Sequence, residues 1–395
     1  MVDGHVIMKI CFCTNIWNHH QGPVVRELAK LLGPDNFRLF VYQPLDCEWS
    51  RERIAMGWDL TPPKEPWIVG PPKTTPELTN GFFRGWIESA DVLIYGENMY
   101  FDNVALERRL KAGKLSFKLG ERLLKNPVTW RQILNPRFWH KWFWIHRHFN
   151  HSSLHFLTMS YWCADDLRFF RVCKNRIWRW GYLTDVSASP IVKPIHEKVR
   201  IGWCGRFIWL KNVCDIFTAI ALLNDSLKEQ IEVVIVGDGL EKENLVRKVH
   251  DLGLDNIVTF KPFLLQKEVL AFMESVDIFP FTSNRLEGWG AILPEAMDKC
   301  CAVIASEDAG STLELVKDGE NGYTFKAGDV KTLSNRIAQL VGDFELRRRF
   351  GLAAWQTMQK WAPPVGARRL MNLATAILNG GAPESDDGAL CGYRG

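Results

Sequence analysis

The chain has 395 residues, a length that suits two or three domains of ordinary size better than one. With 47% hydrophobic and 24% charged residues it reads as globular, which excludes disordered, collagenous and fibrous classes. The formal net charge of +4 hides an asymmetry: up to Val186 there are 25 Lys+Arg against 18 Asp+Glu, and beyond it 24 against 27, so the two parts carry +7 and −3. No apolar run reaches the roughly 18 residues of a membrane-spanning helix, since Lys9, Lys141 and Arg147 interrupt the best stretches. Residues 1–13 offer neither a basic n-region nor a small-residue cleavage site, so no secretory signal is expected. The ten cysteines contain no CxxC pair, and neither a zinc ribbon nor a disulfide framework is readable. Reduced thiols in a cytosolic protein are the plain expectation.

In chain order, residues 7–13 form an apolar strand, followed by a polar loop over 14–22. Val24, Leu28, Leu31 and Leu32 then recur as one face of a helix that Gly33 and Pro34 end. A strand at 38–42 completes a β-loop-α-β opening of the doubly wound kind. A further strand at 92–95 runs into Gly96, Glu97 and Asn98, and a short one precedes Gly120, Glu121 and Arg122. From 129 to 150 no strand is readable, and 154–160 resumes the sheet. The span 126–181 holds nine Lys+Arg against Asp165 and Asp166 alone, interleaved with tryptophans. Such a mixture points to an anionic surface, nucleic acid or phospholipid headgroups.

The second half is more regular. Strands at 199–204, 231–236, 257–260, 278–281 and 302–306 alternate with helical stripes such as Val213, Ile216, Phe217, Ile220 and Leu223. Helices of this length between strands require right-handed parallel crossovers, so this half reads as a Rossmann-like sheet after a Pro190- and Pro194-marked linker at 186–198. Helices at 330–341 and 344–360 close it, a last helix at 364–378 is placed to cross back onto the first domain, and the small polar residues from Gly380 onward read as a disordered tail.

Four motifs carry chemistry. Gly205 and Arg206 end a strand and Lys211 follows five residues later, so two cations beside free N–H groups make a diphosphate cradle. The run from Asn284 to Met297 sets Glu287 on a loop with Gly288, Trp289 and Gly290, and Glu295 just inside a helix opened by Pro294. Glu295 near a helix N-terminus is expected to stay ionised and to accept both hydroxyls of a ribose diol. Gly237 and Asp238 close another strand, and Phe263 and Leu264 follow a fourth, where backbone groups and an aromatic face suit a nucleobase.

These runs, in this order over about 180 residues, resemble the nucleotide-sugar domain of retaining GT-B-fold glycosyltransferases of family 4, the glycosyl transferases group 1. The resemblance implies two Rossmann-like doubly wound α/β domains facing across a cleft, with a C-terminal helix returning to the first. Expected bounds are 1–190 for an acceptor-binding domain, 191–362 for the nucleotide-sugar domain, 363–379 for the crossover helix and 380–395 for the tail. It implies further that Arg206 and Lys211 hold a donor diphosphate, that Glu287 touches the donor sugar, that the N–H groups of Gly288, Trp289 and Gly290 line sugar and phosphate, and that Glu295 holds the ribose. The donor would be a nucleoside-diphosphate sugar, UDP- or GDP-linked, and transfer would retain the anomeric configuration. The expected product is a cell-surface polysaccharide or lipopolysaccharide component made on a saccharide or lipid-linked acceptor. An inactive nucleotide-sugar-binding scaffold and a nucleotide-sugar epimerase of the same architecture are the competing readings.

The first domain resembles the family only in outline. Its opening loop, His19-His20-Gln21-Gly22-Pro23, has one glycine where paired glycines are usual, and Glu121 stands where many members place a histidine. Gly22 is therefore a donor-site candidate and Glu121 a catalytic one, with a surface ion pair as the alternative for the latter. No two aspartates are separated by a single residue, so the DxD metal motif is absent and neither metal nor cofactor is expected. No nucleic-acid partner is expected. Trp139, Lys141, Trp142, Trp144 and Arg147 are candidates for peripheral contact with the inner face of the cytoplasmic membrane, the alternative being that the aromatics pack on the first-domain sheet.

Overall fold

The computed structural model describes residues 8–43, 45, 47–55, 58–70, 76–96, 103–124, 128–383 and 387–393. Glu97 and Asn98 lie outside them. The chain divides into two compact units, Met1–Asp185 with Trp361–Gly395, and Val186–Lys360. No helix among the described residues is long and apolar enough to cross a membrane.

The first unit is built on seven parallel strands: β1 (Ile10–Thr14), β2 (Phe37–Val41), β3 (Ile68–Val69), β4 (Val92–Tyr95), β5 (Ser116–Gly120), β6 (Leu154–Thr158) and β7 (Ile177–Arg179), in the order β3-β2-β1-β4-β5-β6-β7. Strands β1, β4, β5 and β6 are buried along their whole length, as expected of a parallel sheet covered on both faces. In the helix Gly22–Leu32 the inward residues are Val24, Val25, Leu28 and Ala29. Leu31, expected on that face, is exposed, because the inward arc centres between Val25 and Leu28 and leaves it at the rim. The short strands β3 and β7 have too few residues for a periodic signal and were not legible in the sequence.

Residues 129–150 form a short helix, Trp130–Ile133, and a longer one, Pro136–Phe149. Asn135 caps the latter, its side-chain oxygen accepting from the Arg137 N–H at 2.9 Å, and Pro136 occupies the position where a missing N–H costs nothing. The helix Pro363–Leu378 belongs to this first unit and packs on Gly22–Leu32. The C-terminal tail departs from the expected disorder. Arg179 and Leu390 exchange a hydrogen bond of 2.7 Å from the Leu390 N–H, Cys391 O accepts from Arg179 N–H at 3.0 Å, and Trp178 bridges Gly392 in antiparallel sense. Ala389, Leu390 and Cys391 are buried. An edge strand offers a row of unpaired backbone groups, and small residues can approach it closely.

The second unit has six parallel strands: β8 (Val199–Cys204), β9 (Ile231–Val236), β10 (Val258–Lys261), β11 (Ile278–Phe281), β12 (Ala302–Ser306) and β13 (Tyr323–Phe325), in the order β10-β9-β8-β11-β12-β13. Sequence order reverses between β8 and β11, and the carboxyl ends of strands at such a switch point open the crevice where α/β sheets bind ligands. The pairing of Cys204 with Val236, and of Lys261 with that same Val236, sets the ends of β8, β9 and β10 side by side. The core beneath is aliphatic and aromatic, with Ile216, Phe217, Ile235 and Phe350 fully buried.

Candidate functional site

Every motif that the sequence assigned to the second unit leaves the sheet at this one edge. Gly205 and Arg206 follow β8, Gly237 and Asp238 follow β9, Phe263 and Leu264 follow β10, and the loop from Thr282 to Gly290 follows β11. Two of these turns are stitched together through Phe207, whose N–H donates to Asp238 O at 2.8 Å and whose carbonyl accepts from the Glu241 N–H at 3.0 Å. Gly237 permits the approach: at φ +146, a Cβ on it would stand 1.9 Å from the Gly205 carbonyl oxygen. Phe207 was not singled out in the sequence, since an aromatic after a Gly-Arg turn gives no polar signal.

The centre of the site is an ion pair. The Lys211 ammonium donates to Oε2 of Glu287, and Ser283 Oγ donates to the same oxygen at 3.0 Å. Both charged side chains are largely enclosed, 14% and 15% exposed. Lys211 sits at the end of a short 3-10 turn, Trp209–Lys211, and Asn212 after it takes a left-handed conformation at φ 47. Its backbone is held by Thr282 Oγ1, which donates to Lys211 O at 2.7 Å, and the Asn284 N–H donates to Leu210 O at 2.8 Å. The two loops are thereby clamped to one another by polar residues just past the apolar strand β11. Thr282 and Ser283 could have been found from that position, the first polar residues after Ile278–Phe281.

The same loop gives the remaining contacts. Gly290 is left-handed at φ +81, and a Cβ there would stand 2.3 Å from the Phe281 ring. Trp289 is buried, and its carbonyl accepts from the Ser311 N–H at 3.1 Å, so the indole anchors the loop as part of the core. Among the described residues no backbone carbonyl takes the N–H groups of Gly288 and Gly290. Arg206 is exposed, and no acceptor among the described residues is within hydrogen-bond reach of its guanidinium. One cation of the expected cradle is thus free and the other neutralised by its own glutamate.

Glu295 corrects the expectation of an easily ionised carboxylate. It lies buried in the helix Ile292–Asp298, and burial, with a further push from the Asp298 carboxylate, raises its pKa to about 8 despite the nearby Lys299. Desolvation outweighs the helix dipole here because the charged form loses its water. Gln266, at the start of the helix Gln266–Glu274, donates to Glu295 Oε1 at 3.0 Å. Asp238 behaves oppositely: it is exposed, and the Gly239 N–H (2.8 Å) and Lys242 ammonium (3.2 Å) hold its pKa low. Phe263 is exposed and Leu264 half-buried.

In the first unit, Glu121 follows β5 directly and is half-buried rather than a surface ion pair alone. The Tyr182 hydroxyl donates to its Oε1 at 2.8 Å, and the Tyr182 ring stacks on His20 at 4.7 Å. Tyr182 follows β7, whose shortness kept this residue out of the sequence reading. The Gly22 N–H is used within its own turn, donating to Asn18 O at 2.9 Å. What that glycine supplies is room, since a Cβ would stand 3.0 Å from the Trp17 ring. Of the aromatic-basic candidates, Trp139, Trp144 and Arg147 are exposed. Trp142 is half-buried, its ring 5.3 Å from Phe170, and Lys141 is exposed with its ammonium on the Leu123 carbonyl.

Comparison with known proteins gives a family match and a fold. Residues 189–357 match the family model "Glycosyl transferases group 1". A lipopolysaccharide core biosynthesis glycosyltransferase of Rhizobium meliloti is 29% identical over 178 residues, 45% of this chain and 49% of that protein. A capsular polysaccharide biosynthesis glycosyltransferase of Staphylococcus aureus is 26% identical over 162 residues, 40% of this chain and 41% of the other. The match thus spans about half or less of the length of these curated relatives. Over the whole fold, the Anabaena protein HepE in complex with UDP superposes with a TM-score of 0.66 at 16% identity, covering 94% of this chain and 100% of that one. The lipopolysaccharide outer core galactosyltransferase WaaB gives 0.66 at 15%, with the same coverage. Residues 189–357 therefore match the glycosyl transferases group 1 family, and the two parallel sheets are the Rossmann-like units of the GT-B fold.

Proposed function

We propose that the protein is a glycosyltransferase that moves a sugar from a nucleoside-diphosphate sugar to a saccharide acceptor in cell-surface polysaccharide or lipopolysaccharide synthesis. The observation that carries the reading is the Lys211–Glu287–Ser283 cluster at the switch point of the second sheet, with Arg206, which has no acceptor among the described residues, on the turn after β8. A pyrophosphate arriving there finds one free guanidinium and one ammonium that can turn from Glu287 to phosphate oxygen. The N–H groups of Gly288 and Gly290 add dipoles for the same anion. Complexes of a structural neighbour with UDP and with UDP-glucose favour UDP over GDP as the donor nucleotide.

In the proposed reaction the bond from C1 of the sugar to the phosphate oxygen breaks, and the negative charge that develops on the leaving diphosphate is met by Arg206 and Lys211. Charges fixed in place beforehand lower the barrier without reorganising at the moment of reaction. Glu287, released from Lys211, turns to the donor sugar and orients it. The acceptor oxygen bonds C1 on the face the diphosphate leaves, its proton passing to the departing phosphate oxygen, and the configuration is retained. The sequence contains no DxD pair, and in this scheme the two cations do the work of a metal. Glu295 with Gln266 forms the ribose end, and Glu121, steered by Tyr182, is the candidate of the first unit.

The test is a donor screen: purified protein with UDP- and GDP-sugars, reading nucleotide release and transfer to saccharide and lipid-linked acceptors. Turnover of one donor supports the reading. Binding of free UDP without turnover of any sugar donor would move the protein to the scaffold class, and epimerised free sugar nucleotide to the epimerase class.

A further inference from the structure

The helix Pro136–Phe149 has two faces of different fate. Ile145 and Phe149 are buried, and Phe138 and Trp142 lean on Phe170 beside them. Among the described residues no element covers the opposite face, and it is as aromatic as the buried one. Phe143 is 68% exposed, Trp144 49% and Trp139 44%. The Trp139 indole N–H donates to Ile133 O at 2.8 Å, which ties the helix Trp130–Ile133 alongside and adds Trp130 and Leu134, 67% and 72% exposed. Large exposed apolar side chains grouped in this way mark an interaction surface rather than ordinary scatter.

Its charge names the partner. From Arg122 to Ala164 the sequence has no Asp or Glu, and six Lys+Arg. Arg131, Arg137 and Arg147 are exposed among the aromatic residues. Among the described residues, the carboxylate of Glu107 on a neighbouring helix is close enough to Arg147 and His148 to interact with them, and it is already bridged by Lys111 at 2.8 Å. Tryptophan and phenylalanine at the level of a phospholipid headgroup, flanked by arginines and almost free of carboxylates, are what an anionic bilayer surface takes up.

We infer that the face formed by Trp130, Leu134, Trp139, Phe143, Trp144 and Arg147 docks on the surface of an anionic lipid bilayer, its aromatics entering the headgroup layer. This goes beyond the proposed transfer reaction and does not require it.

Co-sedimentation of the full chain with vesicles tests it, using phosphatidylglycerol–phosphatidylcholine mixtures against phosphatidylcholine alone at low salt. Binding should rise with the anionic fraction and weaken as salt screens it. Arg137→Glu with Arg147→Glu should lower the partition coefficient by at least about 30-fold, each lost cation near the surface counting roughly fivefold. Phe143→Ser with Trp144→Ser should lower it as well while leaving the salt dependence in place. All four positions are exposed, and an unchanged thermal melt confirms that each variant folds. Equal recovery in the supernatant with neutral and anionic vesicles would overturn the inference. So would binding that both double variants retain, or a self-association of the wild type in the absence of lipid that these variants abolish, which would give the face to a second copy of the chain.

Discussion

Lys211 and Glu287 stand 76 positions apart in sequence and share a hydrogen-bonded ion pair that is nearly withdrawn from water. In the unliganded protein the pair holds the β8 and β11 loops together. In the proposed reaction it is also a reserve, since the ammonium would leave the carboxylate for phosphate and free the carboxylate for the sugar. The observed structural role and the proposed chemical one therefore fall on the same two side chains, and substitutions separate them.

Lys211→Ala leaves the Glu287 carboxylate without its cation in a confined place. The expected result is a loss of roughly 3 kcal/mol of stability, as for breaking one side of a buried pair, read by urea or thermal melts. Lys211→Met combined with Glu287→Gln should recover most of it. If the double variant melts no higher than Lys211→Ala alone, the pair is not the source of the loss.

Arg206→Ala touches nothing that supports the fold, so its melting curve should match the wild type. Its affinity for free nucleoside diphosphate should fall by about 10- to 100-fold, the worth of a charge-assisted contact. An Arg206→Ala protein that binds UDP and GDP as tightly as the wild type removes Arg206 from the cradle.

Glu287→Gln and Glu295→Ala should separate turnover from binding. Under the proposed roles the first removes a sugar contact that tightens in the transition state, and kcat should fall about 100-fold with little change in donor KM. The second removes the proposed ribose contact and should weaken donor binding by up to about 2 kcal/mol. Steady-state kinetics on the donor found by the screen decides, and identical behaviour of the two variants contradicts the division of roles. Prior treatment with EDTA should change neither rate. Activity lost to the chelator and restored by magnesium or manganese would mean that the fixed cations do not suffice.

The raised pKa of Glu295 has a signed consequence for stability. Its carboxyl titrates near 4.5 in the open chain and at about 8 in the fold, so between these values the folded state holds a proton the unfolded state has lost. The contribution is full below pH 4.5 and is lost as pH rises through 8, on the order of 5 kcal/mol in all. Glu295→Gln cannot ionise and should gain on the wild type in melting temperature from pH 5 to pH 9. A melting difference that stays constant over that range refutes the buried, protonated carboxyl.

Gly237→Ala should cost more than about 2 kcal/mol, because its Cβ would stand 1.9 Å from the Gly205 carbonyl at a backbone angle of +146°. Gly253→Ala is the control for backbone strain alone, left-handed at +66° with nothing within 4 Å. A loss at Gly237 no larger than at Gly253 would mean that the turn has room to spare.

The second sheet was legible because β8, β9, β11 and β12 are largely buried apolar runs between glycines or polar turns, and helices such as Val213–Ala221 keep a 3.6-residue stripe. The local chemistry of the strand ends could be read for the same reason, since a parallel sheet sends every carboxyl end to one edge and Gly205, Gly237 and Glu287 follow three of them. Two- and three-residue strands such as β3 and β7 have no period to detect, and with β7 went Tyr182, which holds Glu121 from 61 positions away. The tail was misread for a related reason. Small residues such as Ala389 bury little by themselves, and only the unpaired edge of β7 makes them structural.

What the sequence alone determined, then, was the kind of residue at each strand end: two cations, a glycine-rich loop and two glutamates in order. What only the tertiary structure decided was their state. Lys211 meets Glu287 across a space that no spacing rule spans, and Glu295 keeps its proton because burial removes the water that would ionise it. Charge and proton affinity depend on what surrounds a group in three dimensions, and these surroundings come from segments far apart in the chain.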